Sequence, residues 1–162
     1  MPAKTYALRS LLFFRRLYLI FFVLYIPLLL MITFFYPERE RLFKTREYHL
    51  IPFQNVIAEI KDPAQYDTPG YWRIFAAGLV GNVVLFLPLG FFLRFFIPYK
   101  KTIILCYGIA VSICIELVQL IFHLGVCDID DVILNTAGLY MGILCCMTLH
   151  PATKRAAGKF RS

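Results

Sequence analysis

The sequence predicts an all-α, polytopic integral membrane protein: four transmembrane helices, with a long extracytoplasmic loop between the first two. Three observations carry that reading. Apolar stretches at about 17–36, 75–97, 102–123 and 132–149 each approach the roughly 20 residues a helix needs to cross a hydrocarbon core of about 30 Å. The composition, 60% hydrophobic and 17% aromatic over 162 residues, is too apolar for a water-soluble domain of this length. Acidic and basic residues separate almost completely between the two sides that four crossings create. The chain, 1–162, therefore reads as a single membrane domain.

The first span follows Lys4, Arg9, Arg15 and Arg16. Its apolar stretch exceeds the roughly 7–15 residues of a secretory signal and no small-x-small cleavage site follows, so it is expected to be a retained helix. The connection 37–74 is the longest. Within it Phe53, Val56, Ile57 and Ile60 recur at i, i+3, i+4, i+7, the spacing of a short amphipathic helix lying in the membrane interface, and Asp62-Pro63 should end it. Asp67-Thr68-Pro69-Gly70 reads as a turn before the second span. Pro88 in the second span and Pro27 in the first each remove a backbone donor, so kinks are expected there. Gly138-x-x-x-Gly142 in the fourth span has the small-residue spacing that lets membrane helices approach closely, and Gly78 and Gly81 are expected to act likewise in the second.

The N-terminal segment, the loop with Arg94, Lys100 and Lys101, and the tail with Lys154, Arg155, Lys159 and Arg161 contain no Asp or Glu. Nine of the ten acids fall on the other side. The excess of Lys and Arg places both termini of a multi-pass membrane protein in the cytoplasm. The net charge of +7 then describes a rim facing anionic membrane lipid and gives no reason to expect nucleic-acid binding. Cys106, Cys114, Cys145 and Cys146 fall in spans, where Cys behaves as a small hydrophobe, and Cys127 falls at the outer surface. No cysteine spacing suggests zinc.

The tenth acid is Glu116, inside the third span. A carboxylate in hydrocarbon costs about 3 kcal/mol even on lenient insertion scales, so it faces a bundle interior or a wet cavity and marks a functional site. Gln119 shares its helix face. Glu116 should lie about 10 Å inside the outer boundary, and Asn82 enters the second span to a similar depth. Asp128, Asp131, Asn135, Gly138 and Gly142 form one stripe if the fourth helix begins early. The candidate site is thus the polar cluster Asn82, Glu116, Gln119, Asp128, Asp131 and Asn135, with Gly138, Gly142 and Pro88 assigned to helix packing. Clustered carboxylates repel one another unless a proton, cation or ligand relieves them, which favours function over hydrogen-bonded glue. His123 has the position for a base or ligand but is read as incidental, and His49 and His150 receive no role.

Three blocks resemble the VanZ-like family of small bacterial membrane proteins. They are Asn82-x-x-Leu85-Phe86-x-Pro88-x-Gly90, Glu116-x-x-Gln119, and Asp128-x-x-Asp131-x-x-x-Asn135-Thr136-x-Gly138-x-x-x-Gly142. A weaker fourth is Leu50-Ile51-Pro52-Phe53. Many members have an arginine shortly before the first aspartate of the third block, where this chain has Gly125-Val126-Cys127, and an asparagine where His49 stands. The resemblance implies similarity to proteins linked with lowered susceptibility to teicoplanin and related lipoglycopeptides in Gram-positive bacteria.

Two functional readings remain at this point. One is a non-enzymatic envelope protein that binds or shields a ligand at the outer leaflet, either a lipid-linked cell-wall precursor or the lipoglycopeptide itself, without a cofactor. The other is a membrane-embedded enzyme acting on such a precursor or on a lipid through Glu116, Asp128 or Asp131, where carboxylate and amide oxygens suit Mg²⁺ or Ca²⁺. Against the enzyme stands the absence of any Ser-x-x-Lys, HExxH or His–carboxylate spacing. Proton-coupled transport would also use Glu116, but four spans are few for it.

Overall fold

A computed structural model describes residues 2–35, 48–63, 70–97, 100–124 and 126–150. Among the described residues there are five helices: α1 (Pro2–Phe35), α2 (Gln54–Lys61), α3 (Tyr71–Phe96), α4 (Lys101–Phe122) and α5 (Ile129–Leu149). Two short strands, β1 (Tyr48–His49) and β2 (Cys127–Asp128), pair in parallel, with Tyr48 opposite Cys127 and His49 opposite Asp128. Leu12–Phe35 of α1 and the whole of α3, α4 and α5 are long and apolar enough to cross a membrane, so the protein is a four-span helical membrane protein. The interspan connection lies partly outside the described residues, as do Asp67, Thr68 and Pro69 of the expected turn, whose last residue, Gly70, is described.

The chain divides into two compact units, Met1–Phe35 and Tyr36–Ser162. The first is α1, a continuous helix through Pro27 whose described apolar side chains point largely outward, Phe13, Leu24 and Met31 among them. The second is built around α5, which packs closely on α3 and less extensively on α4. Phe86, Leu89 and Phe92 of α3, Ile104 and Ile115 of α4, and Leu139, Ile143 and Cys146 of α5 form its apolar core.

Glycine sets the approach of α5 to α3. A Cβ at Gly138 would collide with the Val83 carbonyl, and one at Gly142 with the Leu87 carbonyl and the Phe91 nitrogen. Gly90 of α3 meets the Leu139 backbone in the same way, and Gly108 of α4 accommodates the Leu139 side chain. Gly78 and Gly81 do not act as expected, since a Cβ at either meets nothing within 4 Å. The glycine face of α5 lies against Val83–Phe91, deeper along α3 than those two positions. Pro88 sits within α3, half-buried.

Helix ends follow local rules. Asp128 caps α5, its side chain accepting from the Asp130 amide at 2.8 Å, and Asp130 and Asp131 occupy the first turn, where the dipole favours negative charge. The helix therefore starts three residues before the expected 132, because hydropathy excludes the acids that the capped turn includes. His123 ends α4 in the left-handed region (φ 57), and the Leu124 amide returns to the Gln119 carbonyl at 2.9 Å. Arg94 corrects another expectation. It lies in the last turn of α3 and is 1% exposed, so it is no part of the charged rim with Lys100 and Lys101, which are exposed.

Candidate functional site

The site occupies one end of the second unit, where α3 begins, α4 ends and α5 begins. Glu116 stands six residues before the end of α4 and is 3% exposed. Its Oε2 accepts the Asp128 amide at 3.1 Å, which fixes the return of the chain from α4 into α5. Asn82 of α3 donates through Nδ2 to Asp131 Oδ1, joining the first turn of α5 to α3. One turn further in on α5, Asn135 donates through Nδ2 to Ser112 Oγ at 2.9 Å, and both residues are buried. Ser112 is itself one turn inward of Glu116 on α4. The polar residues thus extend along the α4–α5 contact from the mouth to mid-span. Gln119 is fully buried on the same helix as Glu116.

A strap from the interspan connection closes over this end. After β1, the Phe53 amide donates to Asp130 Oδ1 at 2.7 Å, and Asp130 is left 5% exposed. His49 corrects the expectation of no role. Its Nδ1 lies 2.6 Å from Asn55 Nδ2 and 3.5 Å from Asp128 Oδ2. The two contacts need opposite states of one atom: neutral Nδ1 accepts from the Asn55 amide, and protonated Nδ1 faces the carboxylate. His123 is an exposed helix cap, and the His150 ring packs on Phe91 and Phe95.

The electrostatic consequence shows at Cys127, beside the cluster in β2. Burial raises its thiol pKa above the ordinary range, and Glu116, Asp128 and Asp131 raise it further. A thiol held protonated is a poor nucleophile. Among the described residues no group of three or more His, Cys, Asp or Glu side chains is arranged to hold a metal ion. The acids instead take separate protein donors.

Asp130, Ser112, Asn55 and His49 were missed by sequence reasoning. Asp130 falls off the stripe that selected Asp128 and Asp131, because its partner lies 77 residues away. The available signal was the Leu50-Ile51-Pro52-Phe53 block, whose last residue supplies that donor.

Four apolar helices, with a carboxylate–amide cluster at the end of three of them, define a small multi-pass membrane protein. The VanZ/LLP1 family pattern matches residues 18–150, and the chain belongs to that family. Protein VanZ of Enterococcus faecium is 34% identical over 68 residues. The match covers 40% of this chain and 41% of that protein, so it spans less than half of either. No solved structure matches.

Proposed function

We propose that this protein sits in the bacterial cell membrane with both termini cytoplasmic, and that its polar cluster binds or shields a ligand at the outer leaflet, lowering susceptibility to teicoplanin-type glycopeptides. The observation that carries this reading is Glu116, a carboxylate inside an apolar span, 3% exposed and fastened to the α5 entry. A buried ionisable group in a membrane helix is expensive to keep for packing alone. Family membership supports the resistance phenotype, and the separation of acids from bases supports the orientation.

The test is expression in a susceptible Gram-positive host, with teicoplanin tolerance measured at matched membrane levels. Glu116→Gln keeps an acceptor for the Asp128 amide and removes only the charge, and Asp131→Asn does the same toward Asn82. The expected result is tolerance from the wild type and a fall to vector level in both variants. Wild-type tolerance from both would show that the cluster is structural glue.

A further inference from the structure

The strap at residues 48–61 is polar inside and apolar outside. Toward the bundle it presents His49, Asn55, Glu59 and the Phe53 amide, and Asn55, Val56 and Glu59 are the less exposed positions of α2. Away from the bundle stand Tyr48 (66% exposed), Leu50 (63%), Ile51 (62%), Ile57 (47%) and Ile60 (62%). The sequence pattern expects Phe53, Val56, Ile57 and Ile60 to form the apolar face of a short helix lying in the interface; of these Phe53 (40% exposed), Ile57 and Ile60 are exposed and Val56 is half-buried. At 100° per residue, Ile57 and Ile60 occupy one outer flank of α2, and Gln54 and Lys61 the other.

In water this arrangement is inverted: polar groups are covered and large apolar side chains are left out. Beside a bilayer it is the expected one. The apolar surface of the spans leads directly to it. Ile121 and Phe122, in the last turn of α4, are 61% and 66% exposed, and Cys127, five residues on, pairs with Tyr48.

We propose that residues 48–61 form a lipid-inserted strap. Asp128 and Asp130 latch its polar side to the bundle, while Tyr48, Leu50, Ile51, Ile57 and Ile60 sit among the acyl chains of the leaflet that meets this end of the protein. The flank bearing Gln54 and Lys61 faces the headgroups. A consequence, which rests on the function proposed above, is the class of ligand. A cluster roofed by a lipid-inserted strap is approached from within the leaflet, so it takes an acyl- or polyprenyl-bearing amphiphile rather than a water-soluble molecule.

Trp72 is the chain's single tryptophan, so Trp72→Phe gives a silent background. In it, Ile57→Trp, Ile60→Trp and Gln54→Trp are made separately in the full chain, reconstituted in phosphatidylcholine–phosphatidylglycerol vesicles. Brominated acyl chains should quench the tryptophans at 57 and 60 strongly while aqueous iodide barely reaches them, and the tryptophan at 54 should show the reverse. Iodide quenching at 57 and 60 as strong as at 54 would overturn the proposal, and so would silence toward both quenchers, which would mean that protein covers these positions. The latch is read by amide exchange over residues 53–61. Asp130→Ala should speed it by about tenfold or more, the loss of one charge-assisted hydrogen bond, and Asp130→Asn should speed it less. Unchanged exchange in Asp130→Ala removes the latch. Lipid quenching does not depend on drug tolerance: an inserted strap with fully tolerant Glu116→Gln and Asp131→Asn variants would sink the proposed function and leave this inference standing.

Discussion

Substituting alanine at Gly142, Gly108 and Gly78 turns the packing of the second unit into a graded measurement. All three are helical glycines in spans, so each gains the same propensity, about 1 kcal/mol for alanine over glycine. What differs is the neighbour. At Gly142 the new methyl collides with the Leu87 carbonyl and stands 2.7 Å from the Phe91 nitrogen. The second distance alone is about 0.8 Å inside the roughly 3.5 Å at which such atoms rest in contact. Both obstacles are backbone, so α3 and α5 must separate, at the upper end of the 1–3 kcal/mol typical of overpacking. At Gly108 the obstacle is the end of the Leu139 side chain, which can shift at lower cost. At Gly78 nothing lies within 4 Å. The expected order of stability is Gly78→Ala at or above wild type, Gly108→Ala below it, and Gly142→Ala lowest. The outer two should differ by about 3 kcal/mol, roughly a hundredfold in the folding equilibrium. Reversible unfolding in mixed micelles reads this difference. Equal stability of Gly142→Ala and Gly78→Ala would refute the close backbone approach of α5 to α3.

Ser112→Ala should destabilise by about 1–3 kcal/mol because it strands the buried Asn135 Nδ2, and adding Asn135→Leu should recover part of that loss. Strictly additive losses in the same unfolding assay would mean the two residues do not interact. In a variant whose remaining cysteine is Cys127, alkylation should be slower than for an unstructured thiol at the same pH and should reach its plateau at higher pH. The sign follows from the raised pKa: less thiolate exists at a given pH, and the stability this group contributes below the ordinary thiol range is lost as pH climbs past it. Glu116→Gln with Asp131→Asn should speed the alkylation, and an unaltered rate would leave burial and Asp128 as the cause. The proposed orientation predicts that an impermeant reagent labels Cys127 in intact cells but labels a Lys100→Cys variant only after permeabilisation, and the opposite pattern would invert the topology.

The spans were legible because bilayer thickness imposes a length, and a run of apolar residues records that length directly. Other features were legible in kind but not in detail. Small-residue spacing identified Gly138 and Gly142 as positions where backbones can meet, yet the same logic applied to Gly78 and Gly81 failed, because spacing says nothing of whether a partner backbone passes there. Arg94 looked like rim charge from its neighbours Lys100 and Lys101, although α3 continues past it and turns it inward. The periodicity of Phe53–Ile60 announced a short interfacial helix, and a helix is present at Gln54–Lys61, but the pattern did not show that Val56 turns inward with Asn55 and Glu59. His49 and Asp130 were beyond reach for another reason. Their partners lie far off in the chain, and no local pattern encodes a contact across 77 residues.

The manner in which the acids are held bears on what they can do. Glu116 accepts the Asp128 amide, Asp128 the Asp130 amide, Asp130 the Phe53 amide and Asp131 the Asn82 side chain. Three of these donors are main-chain groups at points where the path turns: the entry to α5, its first turn and the start of α2. Glu116, Asp128 and Asp130 therefore fix backbone geometry and Asp131 ties α5 to α3, tasks that a carboxamide oxygen performs nearly as well. The negative charge is additional to those tasks, and burial makes it costly. Architecture and charge can thus be separated experimentally by Gln and Asn, and any activity lost in a variant that still folds belongs to the charge. A cluster serving only as an adhesive would have no such surplus to lose.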